Sequence, residues 1–168
     1  MNNSITINIV RFIVLVLVQV LVLNHINFLG YINAYIYILF IALYPIKNDR
    51  LLLLILAFFL GLSIDLFSDS GGVHAASSVL IAYIRPVVLK FSFGAIYEHQ
   101  TIKFGSTDLG QRFTYLSILI IIHHLTLFSL EIFNSSKVLL IIKKSLFSSI
   151  FTLILCVLIT ILFSRRSR

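Results

Sequence analysis

The sequence predicts an all-α integral membrane protein with six transmembrane helices. Three observations predict it. The 168 residues are 60% hydrophobic and only 11% charged, with a mean hydropathy of +1.08. That is more apolar surface than the interior of a soluble domain of this length can hold. The apolar runs recur along the whole chain, so a cleaved leader does not account for them, and the run after Arg11 lacks a small-x-small cleavage pattern. Short polar stretches rich in lysine and arginine separate the runs, as topology signals do.

Six spans follow in one polytopic domain covering 1–168: about 8–28, 30–44, 51–67, 72–89, 113–133 and 145–163. The first, fifth and sixth reach the roughly 20 residues a helix needs to cross a bilayer. The second is short, so it tilts little, continues past Pro45, or is partly buried by its neighbours. The third follows the polar Asn48-Asp49-Arg50. The fourth opens on Gly72 and carries Arg85-Pro86. The connections among the first four are short, which predicts adjacent antiparallel hairpins. The longest connection, 90–112, mixes charge, glycine and aromatics and is suited to lie on the membrane surface.

Charge sets the orientation. The formal net charge is +7. In a soluble protein this would suggest a nucleic-acid partner. Here the positives fall between apolar runs, so they read as topology signals and contacts with anionic lipids, with no nucleic-acid role. Placing the loop between spans two and three in the cytoplasm collects Arg11, Lys47, Arg50, Arg85, Lys90, Lys103, Arg112, Arg165, Arg166 and Arg168 there, with both termini. Only Lys137, Lys143 and Lys144 fall on the other side, and Lys143-Lys144 fit least well. Cys156, the one cysteine, sits inside an apolar run and reads as a small packing residue.

The stretch GLSIDLFSDSGGVHAASS, 61–78, places acids and a histidine between two oily runs. Counted from Leu51, Asp65 lies about 21 Å along the third helix, towards the outer leaflet of a core about 30 Å thick. It is therefore expected to face protein rather than lipid. Ala57, Gly61 and Asp65 share one helical face, with Gly61 a flat patch for a neighbouring backbone. Asp69 or Ser70 is expected to cap the fourth helix, and Gly71-Gly72 to allow the tight turn. The hairpin brings His74 near Asp65, which predicts a carboxylate–imidazole bond, a polar clasp between the third and fourth helices.

Catalysis fits this stretch less well. A triad would recruit Ser63, Ser70 or Ser77 beside Asp65 and His74, but the spacing matches no hydrolase signature and Gly-x-Ser-x-Gly is absent. The chain reads as non-enzymatic, with no catalytic, cofactor or metal residues. His123 and His124 point about 100° apart on a helix. His124 and Glu131 are seven residues apart and share a face, which suits helix–helix hydrogen bonding better than a metal. Arg85-Pro86 reads as a kink plus an arginine that reaches lipid phosphate, or as a partner-docking site. The seven tyrosines, Tyr31, Tyr35, Tyr37, Tyr44, Tyr83, Tyr97 and Tyr115, fall near segment ends, as interfacial aromatics do.

With GLSIDLF ending the third span and GGVHAASSVLIAYIRP forming the fourth, the chain resembles the rod shape-determining protein MreD family. The residues that carry the likeness are Gly61, Asp65, Gly72 and His74, and HHLTLFSLEIF around His123, His124 and Glu131 adds to it. Ser70-Gly71-Gly72 stands where many relatives carry a proline-containing turn. The resemblance implies a scaffold in the bacterial inner membrane. Its direct partner would be the bitopic protein MreC. Indirect partners would be MreB, a RodA-type glycosyltransferase and a penicillin-binding transpeptidase, which together direct lateral peptidoglycan synthesis and cell shape. It also implies a fold like the S-components of energy-coupling-factor vitamin transporters. The second functional reading follows from that likeness: a substrate-binding component of a vitamin-type transporter, with His25, Asp65 and His74 in an outward pocket.

Overall fold

The computed structural model describes residues 2–26, 32–46, 49–94 and 107–164. Among them are the helices α1 (Asn2–Leu21), α2 (Ile38–Ala42), α3 (Arg50–Ser68), α4 (Val73–Phe93), α5 (Leu109–Ile132) and α6 (Val138–Ser164). All but α2 are long and apolar enough to cross a membrane. The protein is helical and multi-pass. The middle of the long connection after α4, residues 95–106, lies outside the described residues, as do Tyr31, Lys47, Tyr97, Lys103, Arg165, Arg166 and Arg168.

Aspartates start three of the helices. Asp49 Oδ1 accepts the Leu51 N–H at 2.9 Å at the head of α3. Asp108 Oδ2 accepts from Gly110 and Gln111 at the head of α5. The third, at the head of α4, is described below. Each offsets orphan N–H groups and the positive end of a helix dipole. α3, α4, α5 and α6 pack in sequence order, each chiefly against the next, and α1 lies beside α3. Side chains such as Ile9, Leu17, Phe59, Ile150 and Ile154 point outward, about half exposed, as a lipid-facing surface requires.

The second span differs from the expected single helix over 30–44. Its described part is irregular through residues 33–35, turns at Ile36 and Tyr37, and forms only the short α2 before Pro45. It is the most buried stretch among the described residues: Tyr37 to Ala42 are at most 2% exposed. Its direction is fixed by contacts. Asn24, just past α1, donates to Ser68 at the end of α3 at 2.9 Å, so α1 and α3 run the same way. Gln19 of α1 bonds to Ala34 and Ile36, whereas Arg11, about 12 Å back along α1, donates to the Leu43 carbonyl. The segment therefore runs back antiparallel to α1, and the alternation of direction expected from six spans is kept.

α6 begins at Val138 rather than near Ser145, so Lys143 and Lys144 are helical. Lys144 Nζ donates to Glu131 Oε1 of α5 at 3.1 Å and stands 4.9 Å from the centre of the Phe128 ring. One of the lysines that fit least well is thus neutralised within the bundle. Glu131 and His124 both bond across to α6, Glu131 to Lys144 and His124 to Thr152, the helix–helix hydrogen bonding expected of that face. α4 runs unbroken through Pro86 to Phe93.

Candidate functional site

An irregular backbone at membrane depth exposes N–H and C=O groups that only protein can satisfy. Here the polar side chains of the long helices serve that purpose. Gln19 Oε1 accepts the Ile36 N–H at 3.0 Å, and Gln19 Nε2 donates to the Ala34 carbonyl at 2.9 Å. Ser148 and Thr152 of α6 accept the N–H groups of Asn33 and Tyr35 at 3.3 and 3.1 Å. At the other end, α2 leaves three carbonyls open. Arg85 Nη2 donates to Ala42 O and Tyr44 O, Tyr115 Oη donates to Ala42 O, and Arg11 donates to Leu43 O. Two guanidinium groups thus close the negative end of a five-residue helix.

His124 belongs to this sheath. Its Nδ1 bonds to the Ile120 carbonyl at 2.8 Å, and since a carbonyl only accepts, the proton sits on Nδ1. Nε2 is then the acceptor for the Thr152 hydroxyl at 3.2 Å, which frees the Thr152 oxygen to accept from Tyr35. The imidazole fixes the direction of a chain that ends on the backbone of the second span. Arg85 has a similar role. It is 4% exposed and also donates from Nε to Tyr115 Oη at 3.0 Å. It is held inside the bundle rather than extended along the surface, because three protein acceptors meet its Nε and Nη2 at short range.

The α3–α4 hairpin carries the stretch singled out in the sequence. A Cβ on Gly61 would stand 2.4 Å from Ala75 Cα and 2.5 Å from His74 O, so the backbones of α3 and α4 touch there, as expected. Asp65, 5% exposed, reaches from α3 to the first turn of α4. Its Oδ1 accepts from Ser70 Oγ at 2.6 Å and from the His74 N–H at 3.0 Å, and its Oδ2 accepts from the Ala75 N–H at 2.8 Å. The clasp exists, but the expected carboxylate–imidazole bond is replaced by backbone donors. The cap of α4 also comes from the preceding helix rather than from Asp69 or Ser70. Asp69 is exposed and ends α3 at φ 50, and Gly72 precedes α4 at φ 94, a conformation that favours glycine.

The His74 ring points elsewhere. Its Nδ1 lies 2.8 Å from Tyr37 Oη, which lies 2.7 Å from His123 Nε2. One hydroxyl group serves both imidazoles: Tyr37 donates its proton to one ring nitrogen and accepts the N–H of the other. Tyr35 packs against His74, His123 and His124 with ring centres 5.3 to 6.2 Å apart. α2's approach, α4 and α5 are thereby joined at one point. Replacing Tyr37 with phenylalanine leaves two buried imidazole nitrogens without a partner. A destabilisation of about 2–6 kcal/mol is expected from about 1–3 kcal/mol per orphaned group. Thermal unfolding in detergent measures it.

The structure thus brings Gly61, Asp65 and His74 together, joins His74 to His123 through Tyr37, and leaves Asp69, Glu131 and the exposed His25 apart from them. Sequence reasoning missed Gln19, Ser148 and Thr152, and misread four tyrosines. Tyr35, Tyr37, Tyr44 and Tyr115 are buried, and Tyr83 alone among the described tyrosines is exposed, beneath the Arg50 guanidinium. Compared with protein-family models, curated proteins and solved structures, the chain matches none.

Proposed function

We propose that the chain is a non-enzymatic scaffold of the MreD type in a bacterial inner membrane. In this reading it packs with MreC and, through it, helps MreB, a RodA-type glycosyltransferase and a penicillin-binding transpeptidase direct lateral wall synthesis. Both termini lie in the cytoplasm. The observation that carries the reading is the use of the intramembrane polar groups. Asp65, His74, His124 and Arg85 all bond within the bundle, to backbone groups or to neighbouring hydroxyls. Such a bundle holds a fixed outer shape, which is what a packing partner needs. The Gly61, Asp65, Gly72 and His74 pattern supports the family likeness.

The transporter reading needs His25, Asp65 and His74 to face one pocket. Asp65 is occupied by the turn into α4, His74 by Tyr37, and His25 is exposed past the end of α1. This arrangement weighs against it. The test is co-purification from detergent extracts of the host bacterium, with the chain as bait. Recovery of MreC, and rounding of the cells on depletion of the chain, are expected. Absence of MreC together with a tightly retained small molecule would favour the transport component instead.

A further inference from the structure

We propose that a cleft at the end of the bundle where α3 begins takes up a phosphate group, presented by an anionic phospholipid or free in solution. The cleft has a volume of about 190 Å³ and lies between Tyr44, Ile46, Asp49, Arg50, Arg85 and Pro86. That is below the roughly 300–1,000 Å³ of pockets for drug-sized ligands, and it suits a compact anion.

Charge is the argument. The Arg85 guanidinium is almost wholly buried, and its hydrogen bonds go to Tyr115 Oη, Ala42 O and Tyr44 O, none of them charged. These bonds use Nε and Nη2 and leave Nη1. Arg50, on the same cleft, donates to the Tyr83 carbonyl, and nearby Arg11 donates to the Leu43 carbonyl. Asp49 is the acid on the cleft, and its Oδ1 accepts from Leu51 N. On the cleft itself, two guanidinium groups, Arg50 and Arg85, meet one carboxylate, Asp49, among the described residues. Dipoles of carbonyls soften a buried cation but do not neutralise it, and an uncompensated buried charge is strongly unfavourable. A phosphate offers the oxygen acceptors a guanidinium fork fits.

Depth agrees. From the level where Asp65 meets the head of α4, Arg85 lies about 16 Å along α4, and the first residue of α3 about 22 Å along α3. Arg85 is thus about 6 Å inside the point where α3 enters the apolar layer by rise alone. This is the region between headgroups and acyl chains. The inference does not depend on the scaffold reading.

The test uses the purified full chain in detergent, offered phosphatidylglycerol and phosphatidylcholine in equal amounts, with bound lipid counted by native mass spectrometry. A parallel arm titrates inorganic phosphate. The wild type is expected to retain phosphatidylglycerol in preference to phosphatidylcholine. Ile46→Glu places a carboxylate in the cleft and Arg50→Gln removes a cation. Each is expected to lower retention about fivefold, the fold-change of one basic residue near an anionic surface. Ile46→Gln is expected to bind as the wild type does. Phosphate binding with the same pattern across variants, but without retained lipid, supports the site with free phosphate as its ligand. Binding of neither probe, equal retention by the wild type and Ile46→Glu, or equal loss in Ile46→Glu and Ile46→Gln overturns the site. Should Ile46→Glu not fold, Arg50→Gln decides alone, and equal retention again overturns it.

Discussion

Replacing Gly61 with alanine is expected to remove most of the folded protein. The added methyl would stand 2.4 Å from Ala75 Cα, 2.5 Å from Ala75 N and 2.5 Å from His74 O. All three are backbone atoms of α4, so no side chain can rotate away, and relief requires the two helices to move apart. Separation would also stretch the Asp65 bonds to the His74 and Ala75 N–H groups, which are 3.0 and 2.8 Å long. The expected destabilisation is at or beyond the upper end of the about 1–3 kcal/mol typical of overpacking. At about 2–4 °C per kcal/mol for a chain of this size, the unfolding midpoint should fall by about 6–12 °C or more. Size-exclusion profiles and thermal melts in detergent measure it. A Gly61→Ala protein with the wild-type midpoint would show that α3 and α4 do not touch here.

The second large effect is expected at Asp65. Alanine there removes the acceptor for Ser70 Oγ, the His74 N–H and the Ala75 N–H together. The two N–H groups begin α4 and are buried against α3. No water replaces the carboxylate there, so each stays unsatisfied. Hydrogen bonds to charged groups contribute about 1.5–3 kcal/mol each, and relaxation recovers a part, so a loss of about 2–5 kcal/mol is expected. Asp65→Asn keeps one acceptor oxygen and should fall between the wild type and Asp65→Ala. Membrane insertion should be unchanged in both, since neither reduces the hydropathy of the span. Equal stability of the wild type and Asp65→Ala would remove the clasp from the account.

Much of this was legible in the sequence. The five long spans follow from apolar runs of sufficient length. The Gly61 contact and the buried position of Asp65 follow from a helical face of small residues ending in an acid. The identity of Asp65's partners did not, because a side chain nine residues ahead and the backbone beneath it are equally near in sequence terms. The second span was misread for a different reason. YINAYIYI, 31–38, alternates tyrosine with isoleucine over much of its length, a period of two rather than 3.6. Bulky aromatic and β-branched residues also favour strand-like backbone over helix. With the short run length, that pattern was the available signal that the span would not be one helix. Once it is irregular, its N–H and C=O groups need partners. Gln19 in an apolar α1, Ser148 and Thr152 on one face of α6, and the Arg85–Tyr115 pair then become intelligible together. Read helix by helix, each looks like an isolated polar residue. Their common purpose depends on a segment that none of them adjoins in sequence.

These side chains sustain the irregular second span. Amide hydrogen exchange across residues 32–44, in the wild type and in Gln19→Leu, tests it most directly. Leucine fills the space of Gln19 but accepts nothing from Ile36 and donates nothing to Ala34. The wild type should protect the Tyr35 and Ile36 amides strongly, and Gln19→Leu should speed exchange at Ile36 and its neighbours while α5 stays protected. Rapid exchange at Ile36 in the wild type, or identical exchange in the two proteins, would contradict the claim.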